Sequence, residues 1–262
     1  MVNRLRIALV LLTLVLVTAL LLPAQLIFLW RDWPARRRLP RLWHRIACRL
    51  LGLKVHVHGM VETERPLMLV SNHVSWKDIL VLGAIADVVF VAKAEVRDWP
   101  VFGVLARLQS TIFVAREEKR RAGEQANEIG RRMAAGEIVV LFPEGTTSDG
   151  NRLLEIKSAL FGAATSALPA SPTGIVHIQP VSIAYTRVHG MPMGRYHRPI
   201  AAWPGDVELV PHLLGVLREG AIDVEVDLAP ALPYDAKSNR KATSRMVEGA
   251  IRAMLTARLR GR

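Results

Sequence analysis

The chain has 262 residues, with 35 Lys plus Arg against 23 Asp plus Glu, a formal charge of +12 and a hydrophobic content of 51%. Such a composition excludes a disordered chain, and the single cysteine, Cys48, excludes an internal disulfide framework or a thiolate metal site. Charge is concentrated at one end: up to Lys54 ten Lys and Arg face the lone Asp32, giving +9 there and +3 elsewhere. That split excludes a nucleic-acid binder, because the nearly balanced remainder has no basic stripe interleaved with stacking aromatics.

Ile7 to Trp30 is a run of 24 residues without a charge. As a helix it reaches about 36 Å, against a hydrocarbon core of about 30 Å. A secretory signal has a shorter apolar region closed by a small-residue cleavage site, and neither is present. Arginines flank the run on both sides, as they flank membrane anchors. Pro23 and Gln25 interrupt it, so the segment either crosses the bilayer or dips in and returns to the same leaflet. The stronger basic flank is downstream, which assigns the rest of the chain to the cytoplasmic face of the inner (plasma) membrane in either case. Next, Leu42, Trp43, Ile46, Ala47, Leu50 and Leu51 recur at helical spacing, with Arg41, His44, Arg45 and Arg49 off that stripe. This predicts a basic amphipathic helix that lies at the lipid interface, packs on a core, or does both. Residues 1–53 are expected to form a membrane anchor and 54–262 a single domain.

After Lys54, β-like runs at 54–59, 66–73, 88–93, 110–116, 137–145, 174–186 and 222–228 alternate with helical patterns. The helices are predicted at 78–86, 100–108, 117–135, 157–167, 207–217 and 238–259. Alternation predicts the α/β class: one layered domain with a mixed central sheet flanked by helices, preceded by the anchoring helix and the amphipathic helix. The Pro- and Gly-dense stretch 191–205 is expected to be largely loop.

Two clusters carry chemistry. The apolar strand LMLV runs directly into SNHVSWKD, placing His73 at a strand end with Asp78 five residues on. The two side chains meet only if His73 lies in the turn and Asp78 in the first helical turn after it. Asp78 would then hold one imidazole nitrogen and leave the other to take a proton. The competing reading is a capping box over Ser75 to Asp78, with Asp78 merely satisfying the helix start. The second cluster is FPEGTTSDG, 142–150, after the apolar strand IVVL. Glu144 there either binds a substrate hydroxyl or cation, neutralises an arginine, or stands solvated in a tight turn that needs Gly145 and Gly150.

Together these blocks resemble the glycerolipid acyltransferases exemplified by 1-acyl-glycerol-3-phosphate acyltransferase. NHVSWKD is similar to the family's N-H-x-x-x-x-D, which implies His73 as general base and Asp78 as its orienting partner. AKAEVRDWPVFG followed by TIFVAR resembles a second family block and implies that Phe113 and Arg116 help bind the acceptor. FPEGTTS implies Glu144 and Gly145 at the acceptor site, and in IQPV, Pro180 matches a proline of the active-site wall. With the N-terminal helices included, the resemblance covers nearly the whole chain and implies an acyltransferase domain over 54–262. One position departs from it: members that form phosphatidic acid read F-P-E-G-T-R-S, and this chain has Thr147 in place of that arginine. A hydroxyl does not replace a guanidinium as a bidentate phosphate clamp. Either Arg116 or Lys157 compensates, or the acceptor is not lysophosphatidic acid. FPEGTTSDGNRLL with PGDVELVPHLLG is similar to the branch that acylates lyso-ornithine lipid, whose headgroup is an amino acid.

The expected reaction is direct acyl transfer from an acyl carrier protein or coenzyme A thioester to the hydroxyl of a lysolipid at the membrane surface. No resident cofactor, metal or nucleic-acid partner is expected. The oxyanion would find N–H donors in the turn after His73 or at the helix start at Ser75. Rival readings are a lipid hydrolase using the same pair, with Ser71 or Ser75 as its serine candidates, and a non-enzymatic membrane-surface protein. No G-x-S-x-G elbow is present, and Cys48 is expected to be a packing residue. His56 and His58 alternate on a strand without a third ligand nearby and are expected to form one exposed face. His177, His189, His197 and His212 are too scattered for a motif, and the basic loop Arg195 to Arg198 is expected to be solvated or lipid-facing.

Overall fold

A computed structural model describes residues 2–115, 122–205 and 207–261. Two helices lead, α1 (Val2–Trp30) and α2 (Ala35–Leu50). The layered part comprises β1 (Leu53–His58), β2 (Leu67–Ser71), α3 (Lys77–Ile85), β3 (Val88–Lys93), α4 (Phe102–Leu108), β4 (Ile112–Val114), α5 (Ala122–Ala134) and β5 (Ile138–Leu141). It continues with α6 (Gly162–Ala167), β6 (Val176–Val188), β7 (Met191–Pro192), α7 (Leu209–Glu219), β8 (Ile222–Leu228), β9 (Leu232–Tyr234) and α8 (Arg240–Leu259).

The strands form one mixed sheet in the order β1-β8-β6-β2-β5-β3-β4, with β7 and β9 also on β6. From β6 to β4 the strands run parallel, whereas β8 is antiparallel to β6 and carries β1 parallel to itself. The run LMLV explains why the middle of the sheet is sealed on both faces. Leu67 and Leu69 join a core with Cys48 of α2, Val81 of α3 and Val216 of α7. Met68 and Val70 point the other way, into a core with Met133 of α5, Ala164 of α6 and Val247 of α8. His73 and Glu144 come two and three residues after the ends of β2 and β5, so both leave the sheet at the carboxyl edge of its parallel strands, where α/β folds place their sites.

α1 is continuous through Pro23 and is fastened to the domain along its length. Arg6 Nη1 donates to Leu217 O at 2.8 Å, Trp43 Nε1 donates to Thr18 Oγ1 at 2.9 Å, and Gln25 Nε2 donates to Leu108 O at 2.6 Å. The face away from the domain exposes Leu5, Leu9, Leu12, Leu16, Leu20 and Ile27. In α2 the inward face is rotated from the expected stripe: His44, Ala47 and Cys48 are buried while Leu42 is exposed. Gly83 of α3 is the reason, since a Cβ there would lie 1.9 Å from His44 Nδ1. The ring occupies that space, and burial pushes its pKa down to about 4. Part of the N-terminal charge also turns inward. Arg36, Arg37 and, from α5, Arg132 converge on buried Glu137. Cys48 packs as expected, its thiol pushed up to about 12 by burial.

Candidate active site

Asn72 sets the geometry just past the end of β2. Its buried side-chain amide donates to Ile183 O at 2.9 Å and accepts from Ile183 N at 2.8 Å, extending the link to β6 by one residue. His73 then turns off the sheet, its ring stacked on Phe142 with centroids 4.0 Å apart. Nδ1 lies 2.8 Å from Asp78 Oδ2. The same oxygen accepts from Val74 N at 2.7 Å and Ser75 N at 2.9 Å, and Oδ1 accepts from Tyr185 Oη at 2.8 Å. Asp78 therefore caps the helix start and holds the imidazole at once, so its two candidate roles coexist. A carboxylate accepting at Oδ2 puts the ring proton on Nδ1 and leaves the Nε2 lone pair free. The His73 side chain is 20% exposed and that of Asp78 0%, which leaves the imidazole within reach of a substrate and its partner out of water.

Because Val74 N and Ser75 N are committed to Asp78, they are not the oxyanion donors expected from the sequence. The serine candidates are committed as well. Ser71 Oγ donates to Asn72 O at 2.9 Å, Ser75 Oγ accepts from Lys77 Nζ at 2.8 Å, and both residues are fully buried. Lys77 is itself sealed at 0% exposure and donates to Ala201 O at 2.6 Å, tying the 198–203 loop to the dyad turn. Burial pushes its amine down to about 7, partly offset by the Asp78 charge.

Glu144 is buried at 3% exposure, so it is not a solvated turn residue, and no arginine neutralises it among the described residues. Its carboxylate accepts from His73 N at 2.6 Å and Leu154 N at 2.8 Å, which joins the two motif blocks through the backbone. Ser148 N adds a bond to His73 O at 2.9 Å. Gly145 sits at φ 76°, a conformation that L residues with a Cβ rarely adopt. Thr147 is 9% exposed. Pro180 stands in β6 opposite Val70, one residue short of the end of β2. Phe113 lies farther off, on the edge strand β4 with the Arg97 guanidinium 4.8 Å from its ring. Arg116 falls outside the described residues.

Burial pushes the Glu144 carboxyl up to about 7, opposed by its two backbone hydrogen bonds and reinforced by the Asp78 charge. Its folded pKa therefore lies above the ordinary 4.5. The stability it contributes is full below that lower value and is lost as the pH rises through the folded one. The shift corresponds to about 3 kcal/mol. Glu144→Gln is expected to flatten the fall in unfolding free energy between pH 5 and 8, measured by urea titration in detergent; an unchanged slope would place the titrating group elsewhere.

Away from the dyad, His56 and His58 do share a face of β1, but each is paired, with Asp223 at 2.9 Å and Glu225 at 2.7 Å. The described residues contain no cluster suited to a metal ion. His212 accepts from Trp76 Nε1 at 3.0 Å and so buttresses α3 from α7. In the loop 195–198, Arg195, Tyr196 and His197 are exposed as expected, whereas Arg198 departs from the expectation at only 6% exposure. Tyr185, which donates to Asp78, and Lys77, which ties the 198–203 loop to the turn, are contributors that motif reasoning missed. The signal for Tyr185 was present in GIVHIQPVSIAYT, where a phenol in an apolar strand needs a partner for its hydroxyl.

A mixed α/β sheet with a partly exposed His held by a buried Asp at its carboxyl edge is the arrangement found, and comparison with known proteins gives it a family. A 1-acyl-sn-glycerophosphate (LPA) acyltransferase from Thermotoga maritima shares the fold, with a TM-score of 0.67 over 99% of this chain and 98% of that one at 21% identity. The acyltransferase family profile matches residues 53–184. A lyso-ornithine lipid O-acyltransferase of Rhizobium meliloti (strain 1021) is 65% identical over all 262 residues and 90% of its own length. One of the same description from Brucella abortus (strain 2308) is 52% identical over the whole chain and 98% of its own length. A 1-acyl-sn-glycerol-3-phosphate acyltransferase of Neisseria gonorrhoeae is 30% identical over 78% of this chain and 75% of its own. The chain belongs to the acyltransferase family, and the protein is an acyltransferase.

Proposed function

We propose that the protein transfers a fatty acyl group from an acyl thioester, carried on acyl carrier protein or coenzyme A, to the free hydroxyl of lyso-ornithine lipid. His73 Nε2 takes the hydroxyl proton as the acceptor oxygen bonds to the thioester carbonyl carbon. The tetrahedral intermediate then breaks its C–S bond, and the imidazolium returns the proton to the departing thiolate. The new ester and a free thiol are the products, with no acyl-enzyme between them. The observation that carries the chemistry is the 2.8 Å contact of Nδ1 with buried Asp78, which leaves Nε2 as the unengaged ring nitrogen. The acceptor rests on the 65% identity to the Rhizobium meliloti enzyme, supported by Thr147 in place of a phosphate-clamping arginine.

The enzyme works at the cytoplasmic face of the inner membrane, with α1 lying along the leaflet rather than crossing it. Supporting this, its contacts at Arg6 and Gln25 are separated by about 28 Å of helix, and both are made to the same domain. The leucine face turned outward is then the lipid contact, and the exposed arginines of α2, Arg38, Arg45 and Arg49, face anionic headgroups.

Detergent-solubilised protein assayed with acyl carrier protein and coenzyme A thioesters is expected to prefer lyso-ornithine lipid over lysophosphatidic acid at least about tenfold in kcat/KM, about 1.4 kcal/mol of transition-state discrimination. Preference for lysophosphatidic acid would overturn the acceptor assignment and leave the acyl-transfer chemistry standing.

A further inference from the structure

Among the described residues, Arg198 makes no ion pair. It lies in the 193–203 loop, and at 6% exposure it is buried. Nη1 donates to Asn151 Oδ1 at 2.6 Å and Nη2 donates to Met193 O at 3.0 Å, both neutral acceptors. Nε is buried with no partner, and no carboxylate lies within ion-pair distance among the described residues. Asp149 is the acid that acts on this guanidinium, at longer range, and it restores only part of what burial costs the charge. Asp149 also has other commitments. It accepts from Asn151 N at 3.0 Å and Asn151 Nδ2 at 3.2 Å, and it feels Arg152 and Arg195. Asp149 thus divides its charge among three guanidinium groups. An arginine does not escape such a position by losing its proton, so a buried guanidinium with only neutral hydrogen-bond partners is suited to receive an anion.

The receptor stands against the catalytic turn. Gly150, at φ 75°, is wedged between Val74 and the stem of Arg198; a Cβ there would lie 3.1 Å from Val74 Cγ1 and 3.2 Å from Arg198 Cγ. Trp203 N donates to Val74 O at 2.8 Å, so the far end of the same loop is pinned one residue from His73. Arg198 has five N–H donors, of which its bonds to Asn151 and Met193 use two. A carboxylate or phosphate would find the remaining fork complementary.

We propose that Arg198 binds the anionic group of the acceptor headgroup, which, resting on the proposed acceptor, is the free carboxylate of the ornithine moiety. The residue takes over the anion-recognition role that Thr147 cannot perform. It does so from a different loop, and this accounts for the Arg198 side chain turning inward beside FPEGTTSDG while its neighbours Arg195, Tyr196 and His197 stay exposed.

The test compares two acceptors, lyso-ornithine lipid and its carboxamide, which lacks the anion. For the wild type, the carboxamide is expected to raise KM by about 10- to 100-fold, the range of one charge-assisted hydrogen-bonded contact. Arg198→Gln is expected to bring the two acceptors within about twofold of each other while leaving KM for the acyl thioester unchanged. Arg198→Lys keeps the charge and most of the stem beside Gly150, and is expected to retain part of the preference; it serves if the glutamine variant does not fold. A preserved acid-to-amide ratio in the glutamine variant, or an equal rise in KM for the donor in either variant, would overturn the assignment and leave Arg198 a loop tether. If the wild type uses neither ornithine acceptor but uses lysophosphatidic acid, the proposed acceptor fails separately. KM of Arg198→Gln for lysophosphatidic acid then decides whether Arg198 receives the anion: a rise of at least about tenfold supports the receptor, and no change removes it.

Discussion

His73→Ala is expected to lower kcat/KM for acyl transfer by about 10²- to 10⁴-fold, the range for removal of a positioned general base. The loss should fall on kcat, because the base acts in the transition state rather than in binding. No neighbour replaces it. The Glu144 carboxylate is spent on His73 N and Leu154 N, and the Lys77 amine is spent on Ser75 Oγ and Ala201 O at full burial. The fold should tolerate the change, since the ring is partly exposed and its one polar contact is to a carboxylate that keeps three other donors. The Leu5, Leu9 and Leu12 face of α1 is untouched, so sedimentation with lipid vesicles should equal that of the wild type. Turnover above about a tenth of wild type, in a preparation free of host acyltransferase, would assign the proton to another group.

Much of the fold was legible because apolar runs of strand length recur between helical patterns. The strands at 88–93 and 222–228 have the bounds expected from the sequence. Sheet order was not legible. β6 is 13 residues long and takes β2 on one side and both β8 and β9 on the other, a choice made by partners far along the chain. β7 and β9 span two and three residues and each contains a proline, too little for a period-2 signal. The face of α2 was misjudged because His44 is polar by type, and only the missing Cβ of Gly83 makes room for its ring.

At the site, the spacing of His73 and Asp78 gave only the condition under which they meet, His73 in the turn and Asp78 in the first helical turn, and the pairing itself was implied by the family resemblance. Neither was enough to foresee how many donors one carboxylate collects. The partners of Glu144 were missed for a similar reason: they are backbone N–H groups, which leave no mark in the sequence. Arg198 was missed because a basic loop is usually solvated, and burial of this side chain depends on contacts with Asn151 and Met193 that are visible only after folding.

Asp78 is where catalysis and folding rest on the same atoms, and two variants separate them. Asp78→Ala would strand Val74 N, Ser75 N and Tyr185 Oη without an acceptor in a site of 0% exposure. Unfolding free energy should fall by about 3–5 kcal/mol, the range for removing one partner of a buried charged network. Activity should fall with it, by about 10⁴-fold, as the imidazole loses the group that fixes its tautomer and steadies its charge. Asp78→Asn differs in kind. Its carbonyl oxygen can take the position of Oδ2 and accept from both backbone N–H groups, while its NH₂ faces the Tyr185 hydroxyl, which can accept. Stability in detergent should therefore stay within about 1 kcal/mol of wild type, whereas kcat should still collapse because an amide carries no charge to balance an imidazolium. Tyr185→Phe completes the series. Removing the hydroxyl leaves Asp78 Oδ1 without its donor at full burial while the bonds of Oδ2 to the imidazole and the two backbone N–H groups persist, so unfolding free energy should fall by about 1–3 kcal/mol and kcat by less than about tenfold. An Asp78→Asn enzyme that keeps its turnover would show that the carboxylate serves the helix start alone, and that the proton leaves the acceptor without help from this pair.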